Sequence, residues 1–168
     1  DLNRAFPVYG DEFTATAFDG EALDTSGREP EVAHVMAWTV ANSFVASANF
    51  HTGALVVNYP YDDDGLGSGV DSPTPDDLLF EEIARRYSER NTPMWNSAEF
   101  ADGITNGAMW YVIDGGMQDW NYRYAACNEV TIELSDTFRP PESQIPAFWA
   151  NNEESMLSYL EAVHMGVR

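Results

Sequence analysis

The chain has 168 residues, of which 44% are hydrophobic and 13% aromatic, enough to build one core and too few for two complete domains. Its 28 Asp and Glu residues face 8 basic residues, all Arg, which gives a net charge of -20. This charge excludes a phosphate-binding surface and a nucleic-acid partner, and the sequence contains no apolar run long enough to cross a bilayer.

The acidity of the chain has two compatible interpretations. Acidic side chains keep a protein hydrated in a high-salt environment, where screening weakens their mutual repulsion. The same charge attracts cationic substrates. Composition does not separate salt adaptation from a preference for basic ligands.

The first predicted elements are a helix and two strands. Residues 30–42 place Val32, Met36 and other apolar residues at helical spacing after an acidic start that contains proline. Residues 45–50 and 54–60 are β-rich runs separated by His-Thr-Gly. His51 is therefore predicted at the carboxyl end of a buried strand, where open α/β sheets bind their ligands.

The middle of the chain combines loops with one helix. Residues 62–75 have loop composition, and Thr74 is predicted to cap a helix that ends near Asn91. Residues 92–116 lack periodicity and are predicted to be a long loop, a feature that is often functional. The apolar stripe predicted for the helix consists of Leu78, Leu79, Ile83, Ala84 and Tyr87.

The last elements are a strand and a long helix. Residues 128–135 alternate so that Val130, Ile132 and Leu134 share one face, while Glu129, Thr131 and Glu133 share the other. A closing helix over 146–164 is predicted to bury Phe148, Trp149, Met156, Leu157, Leu160 and Val163. The fold class is therefore α/β, with a mostly parallel or mixed central sheet flanked by helices.

Residue type and spacing alone indicate few candidates for chemistry. Cys127 is the only cysteine, and its apolar flanks favour a small buried residue over a nucleophile. His34 and His164 lie in helices without a partner at metal-ligand spacing. The acidic loop at 62–71 could hold Ca²⁺, but it lacks the fixed spacing of a calcium loop.

Several ordered segments resemble the zinc carboxypeptidases of the carboxypeptidase A/B superfamily, peptidase family M14, in the regulatory N/E-type branch. DLNRAFP at 1–7 is similar to the family motif DLNRNFP, with Ala5 as the departure. Residues 48–64 are similar to the strand and loop with the third zinc ligand, and residues 102–122 to the specificity loop. Residues 127–135 are similar to the catalytic-base strand, and residues 138–166 to the closing turn and helix.

The resemblance implies roles for five residues around the scissile bond. Asn3 and Arg4 would bind the terminal carboxylate of the substrate, a group that a guanidinium reads with two hydrogen bonds. His51 would be a ligand of Zn²⁺, and Glu133 the general base. Tyr111 would close over the bound substrate.

The resemblance also implies a pocket for the departing side chain. It places Asp62 and Gln118 there, and a carboxylate in a desolvated pocket favours C-terminal Arg or Lys. Asp63 and Asp64 are interpreted as solvated loop residues. The expected partners are therefore the C-termini of peptides or proteins, preferably basic.

One family feature is not found in the sequence. The family's other two zinc ligands come from a His-x-x-Glu motif, which these 168 residues lack. We therefore expect residues 1–168 to be the C-terminal portion of a catalytic domain whose sheet lacks its N-terminal strands, leaving this chain alone incomplete and inactive. The resemblance further implies a secreted protein with a possible β-sandwich domain downstream. The alternative is a non-catalytic, acidic peptide-binding module.

Overall fold

The computed structural model describes residues 1–8, 25, 27–63 and 65–165. Its strands are β1 Ala46–His51, β2 Ala54–Tyr59, β3 Ile104–Asn106 and β4 Asn128–Ser135. Its α-helices are α1 Pro30–Asn42, α2 Asp77–Ser88, α3 Thr92–Trp95, α4 Gly107–Trp110, α5 Met117–Ala125 and α6 Ile145–Glu161. Short 3-10 helices occupy Leu2–Arg4, Ala101–Gly103, Glu142–Gln144 and Ala162–Met165.

The four strands form one mixed sheet in the order β1-β4-β2-β3. β1 is parallel to β4, β2 is parallel to β3, and β2 is antiparallel to β4. This arrangement confirms the predicted α/β class. In the register of β1 with β4, Ser47 lies opposite Glu129 and His51 lies opposite Glu133.

Apolar clusters lie on both sides of the sheet. One packs α2 and α6 against the Val130 and Ile132 face of β4, and the other joins α1 and α5 through Val32, Met36 and Trp120. Cys127 is buried in the second cluster, as expected for a small apolar residue. The alternation predicted for β4 is therefore confirmed, and its polar face lies on the side of α5.

The boundaries of α1 and β4 agree with the sequence, but α2 begins later than predicted. Thr74 is not the residue that precedes the helix; its hydroxyl accepts a hydrogen bond from Asp76 N at 3.2 Å, and α2 begins at Asp77. Leu78, predicted in the core stripe, is 82% exposed. Ile83, Ala84 and Tyr87 are buried as predicted, but Leu79 is only partly buried, and the fully buried Phe80 was not predicted.

Two further predictions about local structure were wrong. Residues 92–116 contain short elements, and α3 and α4 are begun by the side chains of Asn91 and Asn106, which accept from Met94 N and Met109 N. Capping of this kind leaves no hydrophobic period in a sequence. The strand that ends at His51 is not fully buried, because within the described residues β1 pairs only with β4 and its side chains are partly exposed.

The buried face of α6 was also predicted wrongly. The helix buries Asn152, Ser155 and Tyr159, whereas Trp149 and Leu160 are more than half exposed. Asn152 is accommodated because its Oδ1 accepts hydrogen bonds from Tyr87 Oη at 2.8 Å and Asn91 Nδ2 at 2.9 Å. A polar side chain whose hydrogen bonds are made can be buried in a core. The most apolar face of a helix is therefore not always the face that is buried. The outer apolar residues are Trp149, Leu157, Leu160 and Val163.

Candidate active site

The predicted zinc ligand and general base lie side by side at one end of the sheet. His51 is the last residue of β1, and Glu133 is its partner on the adjacent parallel strand β4. The parallel pairing therefore brings together two residues that are 82 positions apart in the chain (133 minus 51). The Glu133 side chain is 7% exposed, and its Oε2 atom is buried without a hydrogen-bond partner.

The protonation state of His51 follows from the orientation of Asn3. The Asn3 Oδ1 atom accepts a hydrogen bond from Met117 N at 2.7 Å, which fixes the amide so that its Nδ2 atom faces His51 Nε2 at 3.3 Å. An amide nitrogen only donates, so His51 Nε2 is the acceptor and carries no proton. Burial and nearby Arg4 both lower the pKa of His51, which favours the same neutral imidazole. A neutral imidazole nitrogen is the form that binds metals.

Glu133 is suited to hold a proton near neutral pH. Burial raises the pKa of Glu133 to about 7, and the positive charge of Arg4 opposes that shift only in part. A carboxylate with such a pKa can accept a proton from water and return it within one reaction cycle. The unpartnered Oε2 atom is available for that exchange.

Arg4 and Tyr111 border the same space. Arg4 is exposed, donates to the Asn3 carbonyl oxygen at 2.7 Å and lies 3.6 Å from the carboxylate of Asp1. It also hydrogen-bonds to the side chain of Tyr111, whose pKa is raised by burial and by the charge of Glu133. Tyr111 follows α4 and is 39% exposed, with its ring against that of Trp110. The clamp and the closing tyrosine assigned by resemblance therefore meet in the structure.

Asp62 and Gln118 form the most deeply buried part of the site. Asp62 is 1% exposed, and its Oδ1 atom accepts from Gln118 Nε2 at 2.9 Å and from Asn58 Nδ2 at 3.1 Å. Burial and the neighbouring Asp119 carboxylate raise the pKa of Asp62 well above its usual range. Electrostatic interaction with Arg4 opposes that shift. The structure therefore buries an acidic side chain within electrostatic reach of Arg4.

Two glycines bound the slot that holds the Asp62 carboxylate. A Cβ atom added at Gly107 would lie 2.1 Å from Asp62 Oδ1, and one added at Gly116 would lie 2.8 Å from Asp62 Oδ2. No heavier side chain fits at Gly107 without moving the carboxylate, because real Cβ contacts are not that short. These glycines were not identified from the sequence, where they are part of a glycine-rich loop.

Asp119 is a further residue that the sequence did not single out. Its carboxylate accepts backbone hydrogen bonds from Asp62 N at 2.9 Å and from Asp63 N at 3.3 Å. Burial raises the pKa of Asp119 to about 6. Its position directly after Gln118 in the first turn of α5 was the only signal, and a single acidic residue among 28 carries little information.

The described residues do not by themselves complete a zinc site. Catalytic zinc normally has three protein ligands and one open position. Within residues 1–8, 25, 27–63 and 65–165, no three His, Cys, Asp or Glu side chains are grouped closely enough to hold a metal ion. His51 can therefore supply one ligand, and no group of three such side chains forms in the described part of the acidic loop. His34 and His164 are exposed, and Asp64 lies outside the described residues.

The helices of the described residues do not include one that is long and apolar enough to span a bilayer.

The chain is similar to several known proteins. The chain is 44% identical over 177 residues to human carboxypeptidase D, covering 100% of this chain and 12% of that protein. It is 40% identical over 186 residues to the catalytic chain of human carboxypeptidase N, covering 100% and 41% respectively. The crystal structure of carboxypeptidase A from Helicoverpa armigera has the same fold, with a TM-score of 0.69 at 17% identity, over 99% of this chain and 42% of that one.

The chain thus spans about one eighth to two fifths of these two relatives. The family described as zinc carboxypeptidase, peptidase family M14, matches residues 1–155, which is most of the chain. This protein therefore belongs to the zinc carboxypeptidase family.

Proposed function

We propose that the protein removes C-terminal Arg or Lys residues from peptides or proteins by zinc-dependent hydrolysis. The observation that carries the basic preference is the Asp62 carboxylate, which is 1% exposed and held by Gln118 in a slot bounded by glycines. An unpaired buried carboxylate is costly, so a ligand that brings a cation to it gains a strong interaction. A neutral side chain in the same pocket would leave the carboxylate unpaired.

The clamp for the substrate carboxylate is the second part of the proposal. Arg4 is exposed and close to both Tyr111 and Glu133, so its guanidinium can receive the terminal carboxylate of a peptide. Asn3 fixes the orientation of that region through its hydrogen bonds to His51 and Met117. A substrate held at Arg4 and at Asp62 is fixed at both ends of its last residue, which is the positioning that hydrolysis of the preceding bond requires.

The proposed proton transfer uses Glu133. Its pKa of about 7 lets it take a proton from the attacking water and give that proton to the departing amine. His51 would be one of the zinc ligands, with the others supplied from outside the described residues. When bound, zinc polarises a carbonyl group and acidifies water. Tyr111 would cover the bound peptide and reduce the access of bulk solvent.

The alternative is a non-catalytic, acidic module that binds peptides with basic C-termini and does not hydrolyse them. The observation that favours it is that the described residues form no group of three potential metal ligands. The buried, unpartnered Oε2 atom of Glu133 favours the enzyme, because a binding module has no use for such an atom.

Two matched peptides test the substrate preference. The full-length protein is given peptides that differ only in their last residue, Arg or Leu, and kcat/KM is measured for each. We expect a preference for Arg that Asp62→Asn reduces by about 30-fold or more, the effect of losing a buried charge pair worth about 2 kcal/mol or more. Asp136→Asn, an exposed change of the same kind, should preserve the preference.

Measurements on the same full-length protein distinguish the enzyme from the binding module. Stoichiometric zinc and release of free arginine support the proposed function. Arginine-dependent binding without zinc or hydrolysis in the full-length protein would establish the alternative. Equal hydrolysis of both peptides would show that Asp62 does not select basic residues.

A further inference from the structure

The pocket contains two carboxylates that approach each other from different elements. Asp62 follows β2, and Asp119 lies in the first turn of α5. The Asp119 oxygens accept from Asp62 N at 2.9 and 3.1 Å, so the two acidic residues are in direct contact through the backbone. The pair extends the binding role assigned to Asp62 alone.

The charged groups around the pair are few. Arg4, from the 3-10 helix Leu2–Arg4, acts electrostatically on Asp62, and Arg123, one turn along α5, acts on Asp119. Asp63 adds negative charge beside Asp119, and Tyr111, which follows α4, interacts electrostatically with Asp62. The side-chain donors to Asp62 Oδ1 are two neutral amides.

The hydrogen bonds differ between the two carboxylates. Asp119 accepts backbone N–H groups on both oxygens, an arrangement that stabilises an ionised carboxylate. The two amide donors to Asp62 share a single oxygen, Oδ1. Two neighbouring buried carboxylates do not ionise together easily, so one proton is retained by the pair, and the difference in hydrogen bonding assigns it to Asp62.

We propose that a basic C-terminal side chain enters this pocket in exchange for a proton, which leaves Asp62 for the solvent as the cation binds. This inference rests on the proposed function and adds a pH-dependent step to it. The charge balance is simple: the empty pocket holds the pair with one proton, and the occupied pocket holds two carboxylates and one guanidinium or ammonium. The raised pKa values of Asp62 and Asp119 support this exchange.

Titration calorimetry with N-acetyl-arginine tests the exchange. The probe has no free amine, so any proton released comes from the protein. Binding to the full-length protein is measured at pH 6 in two buffers with different ionisation enthalpies, and N-acetyl-citrulline serves as the neutral isostere. We expect up to about one proton released per N-acetyl-arginine bound, none for N-acetyl-citrulline, and an affinity for the cation that rises by up to about tenfold per pH unit.

Two variants assign the proton to the pair. Asp119→Asn removes the second charge but keeps an oxygen acceptor, so N-acetyl-arginine should still bind while the proton release falls. Asp62→Asn should bind N-acetyl-arginine no better than N-acetyl-citrulline, and Asp136→Asn should release the proton as the unaltered protein does. Thermal melting checks that each variant is folded.

The outcomes distinguish this inference from the function on which it rests. Tight binding of N-acetyl-arginine without proton release overturns the proton exchange and leaves the basic preference intact. Full release in Asp119→Asn overturns the role of the carboxylate pair, because burial alone would then hold the proton on Asp62. Equal affinity for N-acetyl-arginine and N-acetyl-citrulline overturns the basic preference itself, and the exchange with it.

Discussion

The Asp62 pocket and the His51–Glu133 pair belong to one site, but the described residues provide more of the contacts in the pocket than at the pair. In the pocket, the carboxylate has two amide donors, glycines at its sides and a second acid that holds its backbone. At the pair, the described residues form no group of three potential metal ligands, and Glu133 has a carboxylate oxygen without a partner. The proposed recognition of the substrate side chain would thus rest on described residues, whereas the proposed hydrolytic centre would require further metal donors.

The comparison also explains which residues should affect which step. Changes around Asp62 should alter the choice between substrates, and changes at Glu133 should alter the rate for every substrate. Two predictions test this separation, and a third tests the burial of the acidic groups on which it rests.

The largest effect is expected for Glu133→Gln. Loss of the proton acceptor should lower kcat by about 10²- to 10⁴-fold, the usual contribution of a general base. Because Glu133 is separate from the side-chain pocket, binding of N-acetyl-arginine should change little, as calorimetry can measure. Glu154→Gln on the exposed surface of α6 is the matched control. A loss of binding as large as the loss of kcat would show that the two parts of the site are not separable.

A smaller effect is expected for Gly107→Ala. The added Cβ would lie 2.1 Å from Asp62 Oδ1 and must displace it, so the preference for Arg over Leu in kcat/KM should fall by about tenfold, equivalent to about 1.4 kcal/mol. Hydrolysis of the Leu peptide should persist. Gly116→Ala, with its closest approach of 2.8 Å to Asp62 Oδ2, should have a smaller effect in the same direction. An unchanged preference in Gly107→Ala would contradict the proposed slot.

The smallest effect concerns stability in metal-free protein. The pKa values of Asp119 and Glu133 are raised to about 6 and 7 from 3.8 and 4.5, so the folded state binds more protons than the unfolded state between these limits. The free energy of unfolding should therefore fall as pH rises from about 4 to 8, by at most about 1.4 kcal/mol per pH unit for each group.

Urea unfolding in the presence of a chelator measures this dependence. Glu133→Gln should flatten the decrease between pH 5 and 7, because glutamine does not titrate. Glu142→Gln, at an exposed position, should leave it unchanged. A stability that rises with pH over this range would contradict the burial of these acids.

The sequence predicted the elements with a strong period and the residues within recognisable motifs. β4 was predicted with its observed bounds, because alternating residues on a two-sided strand leave a clear pattern. The clear apolar stripe of α6 led to a wrong prediction, because the strongly apolar Trp149 and Leu160 lie on its outer side. Burial of Asn152 depends instead on hydrogen-bond donors from α2 and from the segment after it. Such long-range hydrogen bonds have no local signature.

Within the site, the same limit applied. His51, Glu133 and Asp62 were identified from motifs, but Asp119 and Gly107 gained their importance only from contacts across the fold. Their neighbours are 57 and 45 positions away in sequence (119 minus 62, and 107 minus 62), so only the folded chain reveals them.

The first turn of α5 links all parts of the site. Met117 N donates to Asn3, Gln118 binds the Asp62 side chain, and Asp119 binds the Asp62 backbone. The side chains of Gln118 and Asp119 point about 100° apart and reach different groups of Asp62, while the backbone N–H of Met117 reaches Asn3. A single-residue insertion before Met117 would rotate all three contacts away together. Exchanging this whole turn between relatives should consequently change the positions of the clamp and of Asp62 together. Exchanging Gln118 alone should not.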